Sequence, residues 1–256
     1  MSAQWWTEPF WGFDLETTGV DVETDRIVTA TLTRVFPDRS SAPQSRTWVA
    51  DPGVEIPEGA AKVHGYTTER ARAEGRPATE VVAEVVDALT TAFAAGGALV
   101  IYNAPFDLTM TDRETRRHFG RGLLPEGAKL PEVVVDPLVV DKRVNERVRG
   151  KGQRQLRNTC ARWGVTLTEQ DAHTSEGDVL AATRLAWRQA SGTPWLGRLS
   201  LAELYAQQKV WSRDQTLSFA AWKRQQGEVE ECKRLVREAE HWPMRPFAAG
   251  SEAVPI

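Results

Sequence analysis

Two acids one residue apart, Asp14 and Glu16, follow the apolar run Phe10-Trp11-Gly12-Phe13 and precede a Thr17-Thr18-Gly19 turn. Side chains alternate faces along a strand, so this spacing puts both carboxylates on one side and Leu15 on the other. Like charges so close repel at neutral pH, and a hard divalent cation such as magnesium relieves the repulsion by taking oxygen ligands. Alone, the pair also suits the wet face of an ordinary strand. Three more positions can join it: Asp107, in Tyr102-Asn103-Ala104-Pro105-Phe106-Asp107, and His173 and Asp178, in His173-Thr174-Ser175-Glu176-Gly177-Asp178. Each has a plain alternative, since an acid in the first turn of a helix favours the dipole and a lone His in a polar loop is commonly idle. Together they fit phosphodiester hydrolysis. Two cations about 4 Å apart can stabilise charge on the attacking and leaving oxygens at once. Asp14, Glu16 and Asp178 would be direct ligands, with Asp107 binding directly or through water. An imidazole, titrating near neutrality, is suited to take the proton of the attacking water, and His173 is placed to do so.

The elements that must position these residues follow from periodicity. The alternation Ile27, Thr29, Thr31, Thr33, Val35 predicts a strand over 26–36, and 46–50 a third antiparallel one. The Pro- and Gly-rich segment 51–77 reads as loops with a short helix near 67–73. Val81, Val82, Val85, Val86, Leu89 and Phe93 form a helical stripe with Thr79 as its N-cap, ended by Gly96-Gly97. Buried strands are predicted over 98–102 and 133–135, and helices over 106–119, from Asp136-Pro137, over 155–163 and over 176–190. Three strands followed by strand–helix alternation give an α/β architecture with a mixed sheet. Beyond Gly192-Thr193-Pro194, residues 199–242 read as wholly helical.

At these motifs the chain resembles the DnaQ-like exonucleases, the DEDDh branch of the ribonuclease H-like superfamily. The first motif is similar to Phe13-Asp14-Leu15-Glu16-Thr17-Thr18-Gly19, the second to Tyr102-Asn103-Ala104-Pro105-Phe106-Asp107, and the third to the pair His173 and Asp178. Val63-His64-Gly65-Tyr66-Thr67 resembles the family's Val-His-Gly-Ile-Thr stretch beside the substrate 3′ end, with Tyr66 in place of Ile; Ser175 stands where Ala is usual. The resemblance implies a ribonuclease H-like mixed five-stranded sheet flanked by helices over residues 8–192, with a helical C-terminal extension over 197–247. It implies a two-metal-ion 3′→5′ exonuclease using Mg²⁺ or Mn²⁺, with Asp14, Glu16, Asp107 and Asp178 as metal ligands and His173 as general base. It also implies substrate contacts at Thr17 and His64. Phe106 is a further candidate, to stack on a base or to join the core.

With 256 residues, 41% hydrophobic and 26% charged, the composition is that of a globular domain. No apolar run is long enough to span a bilayer and no secretion signal is evident, so a cytoplasmic setting is expected. Cys160 and Cys232 offer neither metal spacing nor a disulfide framework. The net charge of −3 excludes a globally basic nucleic-acid binder. Lys142, Arg143, Arg147, Arg149, Lys151, Arg154 and Arg157, opposed only by Glu146, form a local stretch able to meet phosphates. The expected partner is a single-stranded 3′ end, DNA in preference to RNA, with a DNA polymerase or sliding clamp as candidate protein partners. Gln215-Thr216-Leu217-Ser218-Phe219 is similar to degenerate clamp-binding peptides, though it sits in a helical pattern. An RNA-trimming exonuclease and a non-catalytic docking module are the alternatives. The helical tail either packs on the exonuclease domain or offers a surface to a partner.

Overall fold

The computed structural model describes residues 4–166 and 175–247. β1 (Phe10–Thr17), β2 (Ile27–Val35) and β3 (Gln44–Asp51) form an antiparallel meander in which Asp14 lies opposite Thr31 and Glu16 opposite Thr29. The two-residue β4 (Arg76–Pro77) runs parallel to β3, while β5 (Leu99–Val100) runs parallel to β1 and β6 (Val134–Val135) parallel to β5. The sheet order is β4-β3-β2-β1-β5-β6. The mixed five-stranded sheet expected from the sequence is therefore present, with a short sixth strand added at its edge.

Among the described residues, seven helices accompany the sheet before the chain turns to its C-terminal region. α1 (Glu58–His64) and α2 (Thr68–Glu74) occupy the Pro- and Gly-rich segment. α1 was not anticipated, being a seven-residue helix enclosed by Pro57 and by Gly65 in the left-handed conformation at φ +79°. α3 (Ala78–Ala94) buries the predicted stripe from Val81 to Phe93, and α4 (Ala104–Phe119) packs beside it. Thr79 is not the cap of α3. The helix begins one residue before it, behind Pro77, and the Thr79 hydroxyl meets His118 Nδ1 at 3.2 Å. α5 (Pro137–Val144), α6 (Leu156–Arg162) and α7 (Ser175–Gly192) complete the set. α7 crosses β1 and β2 on the face bearing Gly12, Asp14 and Glu16, whereas Phe13 and Leu15 point into the core on the other side, with α3 and α4.

The C-terminal region is two helices, not one. After the short α8 (Pro194–Gly197), α9 (Leu201–Gln225) opens with a reciprocal Ser200–Glu203 capping box. The chain breaks at Gly227, whose φ of +83° suits only glycine, and resumes as α10 (Val229–Glu238). Leu204, Tyr205 and Trp211 of α9 enter the main core. Buried Gln208 donates to Val134 O at 3.0 Å and accepts from Asp136 N at 2.7 Å, fastening α9 to the end of β6. Among the described residues no helix is long and apolar enough to cross a membrane.

Candidate active site

β1 and α7 approach unusually closely. A Cβ on Gly12 would stand 2.5 Å from Thr183 Cγ2 and 2.6 Å from Val179 Cγ1, so the absence of a side chain there sets the helix against the strand. One residue before Val179, Asp178 meets the two strand acids: carboxylate oxygens of Asp14, Glu16 and Asp178 all lie within 4.8 Å of one another. A hydrogen bond of 3.0 Å from the Thr31 hydroxyl to Ser175 Oγ ties the start of α7 to β2 directly opposite Asp14. Between Glu16 and Thr17 the β1–β2 register slips, a bulge that ends regular pairing where the site opens.

Asp107 is buried on the neighbouring turn. β5 pairs with β1 only at Trp11 and Gly12, so the Leu15 N–H on that side has no strand to meet. Asp107 Oδ1 accepts it at 3.0 Å. This acid thus stitches α4 to β1; its charge is felt by Asp14 and Glu16, but it is not one of the three acids whose oxygens gather within 4.8 Å. Its turn is shaped by Asn103, which adopts the left-handed region at φ +69°. Asp136 fixes that turn, accepting the Asn103 and Ala104 N–H groups at 3.0 Å each and its own helix's Leu138 N–H at 2.9 Å. Sequence reasoning read Asp136 only as a helix start. The cap signal was correct, and the second duty depends on a turn far away in the chain. The same is true of Gln208, which holds Asp136 from α9.

The electrostatics describe a site short of positive charge. Burial, then Asp107, Glu16 and Asp178, raise the Asp14 pKa well above the ordinary carboxylate value. Burial and Asp178 raise Glu16 from 4.5 to about 7. Burial also raises Asp107 strongly against the hydrogen bond from Leu15, with Asp136 and Glu16 adding to it. Among the described residues, no basic side chain contributes to any of the three shifts. Hard divalent cations suit such an oxygen-rich donor set.

The other predicted residues are placed unequally. His64 is buried at the end of α1; its Nδ1 accepts the Tyr66 N–H at 3.2 Å, so the neutral ring carries its proton on Nε2. Burial lowers its pKa while the Thr17 backbone opposes this, which places His64 beside Thr17. Nε2 makes no well-formed hydrogen bond. The Thr17 hydroxyl donates to Gly19 O at 2.6 Å. Phe106 is half-buried against the main core. His173 lies outside the described residues. Within the basic stretch, Arg154 pairs with buried Asp141, together with Arg162, so it serves the fold. Arg147, Arg149, Lys151 and Arg157 are exposed. Gln215 to Phe219 lies inside α9, and Gln215 Nε2 donates to Val139 O at 3.1 Å.

A mixed sheet whose central strand bears two acids, met by a third from a crossing helix, is the arrangement of a nuclease of the ribonuclease H-like kind. Residues 12–186 match the Exonuclease family RNase_T, and the chain belongs to that DnaQ-like family of hydrolases. It is 31% identical over 170 residues to a DNA polymerase III subunit epsilon-like protein of Rhodobacter capsulatus, a match covering 66% of this chain and 22% of that protein. In fold it is similar to E. coli Exonuclease I in its zinc-bound complex with single-stranded DNA (TM-score 0.59, 21% identity, 74% of this chain and 42% of that one). It is also similar to a moderately thermophilic Exonuclease I from Methylocaldum szegediense (TM-score 0.55, 18% identity, the same coverage). The chain spans less than half the length of these relatives.

Proposed function

We propose that this chain is a two-metal-ion 3′→5′ exonuclease that releases nucleoside 5′-monophosphates from single-stranded or frayed DNA. The observation that carries the reading is the convergence of carboxylate oxygens of Asp14, Glu16 and Asp178 within 4.8 Å of one another. The same residues fit a pair of Mg²⁺ or Mn²⁺ ions: Asp14, Glu16 and Asp178 hold them directly and Asp107 completes the set. When bound, the ions supply positive charge to the attacking and leaving oxygens of the phosphodiester. His173, two positions before the start of α7 in the sequence, takes the proton of the attacking water on a ring nitrogen. The Thr17 backbone and the His64 Nε2–H, a buried donor without a well-formed bond, receive the terminal nucleotide or its phosphate. Phe106 borders the same turn as Asp107 and packs beside that nucleotide.

The catalytic unit spans residues 8–192, and 197–247 forms an extension. DNA is favoured as substrate because one relative is named for a DNA polymerase subunit and a fold neighbour was solved with single-stranded DNA. Proofreading beside a polymerase or clamp and free-standing repair are both compatible roles. The test uses end-labelled single-stranded DNA and RNA of equal sequence, with magnesium or manganese and a chelator control. Stepwise loss from the 3′ end of DNA is expected, abolished by chelator and by Asp14→Ala. Binding without cleavage would replace the enzyme by a docking module, and preferential loss of RNA would reassign the substrate.

A further inference from the structure

The family match ends at residue 186, yet a cavity of about 200 Å³ is walled largely by α5 and by elements beyond that limit. Lys142 of α5 faces Ser212, Thr216 and Phe219 of α9, with Trp242 and Arg245 closing the far side. Two of these side chains lack partners. Among the described residues the Lys142 ammonium makes no direct hydrogen bond or ion pair; burial and then the charge of Arg154 lower its pKa, against the pull of Asp136 and Asp141. Trp242 is 5% exposed, and its indole N–H is buried without an acceptor. The cavity is also lined by Asp136 and Glu238, but the first accepts three backbone N–H groups and the second pairs with Arg234 and Arg245, so the Lys142 ammonium and the Trp242 N–H remain to meet an anionic, acceptor-rich ligand.

The cavity also has a direction. Asn103 and Pro105, on the turn that leads into Asp107, line it. Toward solvent, Phe219 and Trp222 lie stacked, with ring centroids 5.6 Å apart and planes 12° from parallel, and are 46% and 48% exposed. Lys223 Nζ sits 5.6 Å from both ring centres. Flat aromatic faces beside cations bind the bases of single strands without sequence preference. We propose that this cavity and the Phe219–Trp222 face form a second nucleotide-holding site for the substrate strand. It grips a phosphodiester on Lys142 and stacks the flanking bases on the α9 aromatics, upstream of the bond being cut. This rests on the nuclease reading of the acidic site and adds to it a length dependence supplied by the C-terminal helices.

The test uses the full chain. Binding of fluorescent oligothymidylates to the Asp14→Asn variant is followed by anisotropy over a range of salt. Each lost phosphate contact on a single strand lowers the salt slope by about 0.7, so Lys142→Met in that background should flatten the slope by this amount. Phe219→Ala with Trp222→Ala, both at exposed positions, should weaken a twelve-nucleotide strand at least tenfold. In the active chain, the ratio of kcat/KM on twelve nucleotides to that on three should fall at least fivefold for each variant. Equal losses on both lengths, or an unchanged ratio in variants with a parental circular dichroism spectrum, would overturn the site. Displacement of the oligonucleotide by thymidine monophosphate at similar concentration would overturn its assignment to the strand. Failure of the parent to cut either length would sink the nuclease reading, and the binding measurements would still decide this one.

Discussion

Replacing Glu16 by Gln should make the ion-free protein more stable while depriving it of metal-dependent activity. The Glu16 carboxyl titrates at about 7 in the folded chain, against 4.5 unperturbed, because it is buried and faces Asp178. The folded state therefore holds this proton more tightly than the unfolded state. Raising the pH from 4.5 to 7 removes stability, and above 7 the full penalty is present. At about 1.4 kcal/mol per pKa unit the shift amounts to roughly 3 kcal/mol, and solvent screening of the exposed part reduces it to about 2–3. Asp14 and Asp107, also raised, act in the same direction. For a chain of this size each kcal/mol corresponds to about 2–4 °C in Tm, so Glu16→Gln should melt about 4–12 °C higher at pH 8 in chelator. At pH 4.5 the two proteins should melt together. Magnesium should raise the parent's Tm at pH 8, raise the variant's much less, and leave the variant without nuclease activity. Calorimetric scans at both pH values, with chelator and with magnesium, provide the measurement. A variant that melts at or below the parent at pH 8 in chelator would refute the reasoning, as would a gap that does not change with pH.

Three further outcomes follow from the geometry around the acids. Asp107→Ala leaves the buried Leu15 N–H unpaired and should cost about 1–3 kcal/mol in urea unfolding, whereas Asp107→Asn keeps an acceptor for it and loses activity with little change in stability. Gly12→Ala forces a Cβ against Val179 and Thr183 and should destabilise by about 1–3 kcal/mol; the magnesium concentration for half-maximal activity should rise because Asp178 moves with α7. Asp136→Ala removes the acceptor of three backbone N–H groups and should cost about 3 kcal/mol or more; Asp136→Asn, which retains part of the bonding, should recover stability and activity together.

The parts of this molecule legible in its sequence are those set by local periodicity. The spacing of Asp14 and Glu16 required one strand face, and the apolar stripe from Val81 to Phe93 required one helix face. Asp178 could be paired with them only through motif resemblance, because the contact depends on how closely α7 crosses β1. That approach is decided by Gly12, a residue with nothing in its local pattern to distinguish it. Thr79 looked like a cap because its type is right, yet Pro77 starts the helix earlier and the threonine is used elsewhere. The break at Gly227 was obscured by apolar spacing that continues across it.

Long-range duties of polar residues were the least visible. Asp107 has both a sequence identity, as an acid at a strand end, and a role created by the early end of β5, which leaves Leu15 without a backbone partner. Asp136 shapes the turn before Asp107, and Gln208 of α9 holds Asp136 through its backbone. The α9 helix, which reads as an appendage, is thus two hydrogen-bonded steps from the turn that presents Asp107. An extension joined to the core in this way cannot be removed without releasing the Asn103–Asp107 turn. Its contribution to catalysis is therefore expected even on substrates too short to reach Phe219 and Trp222.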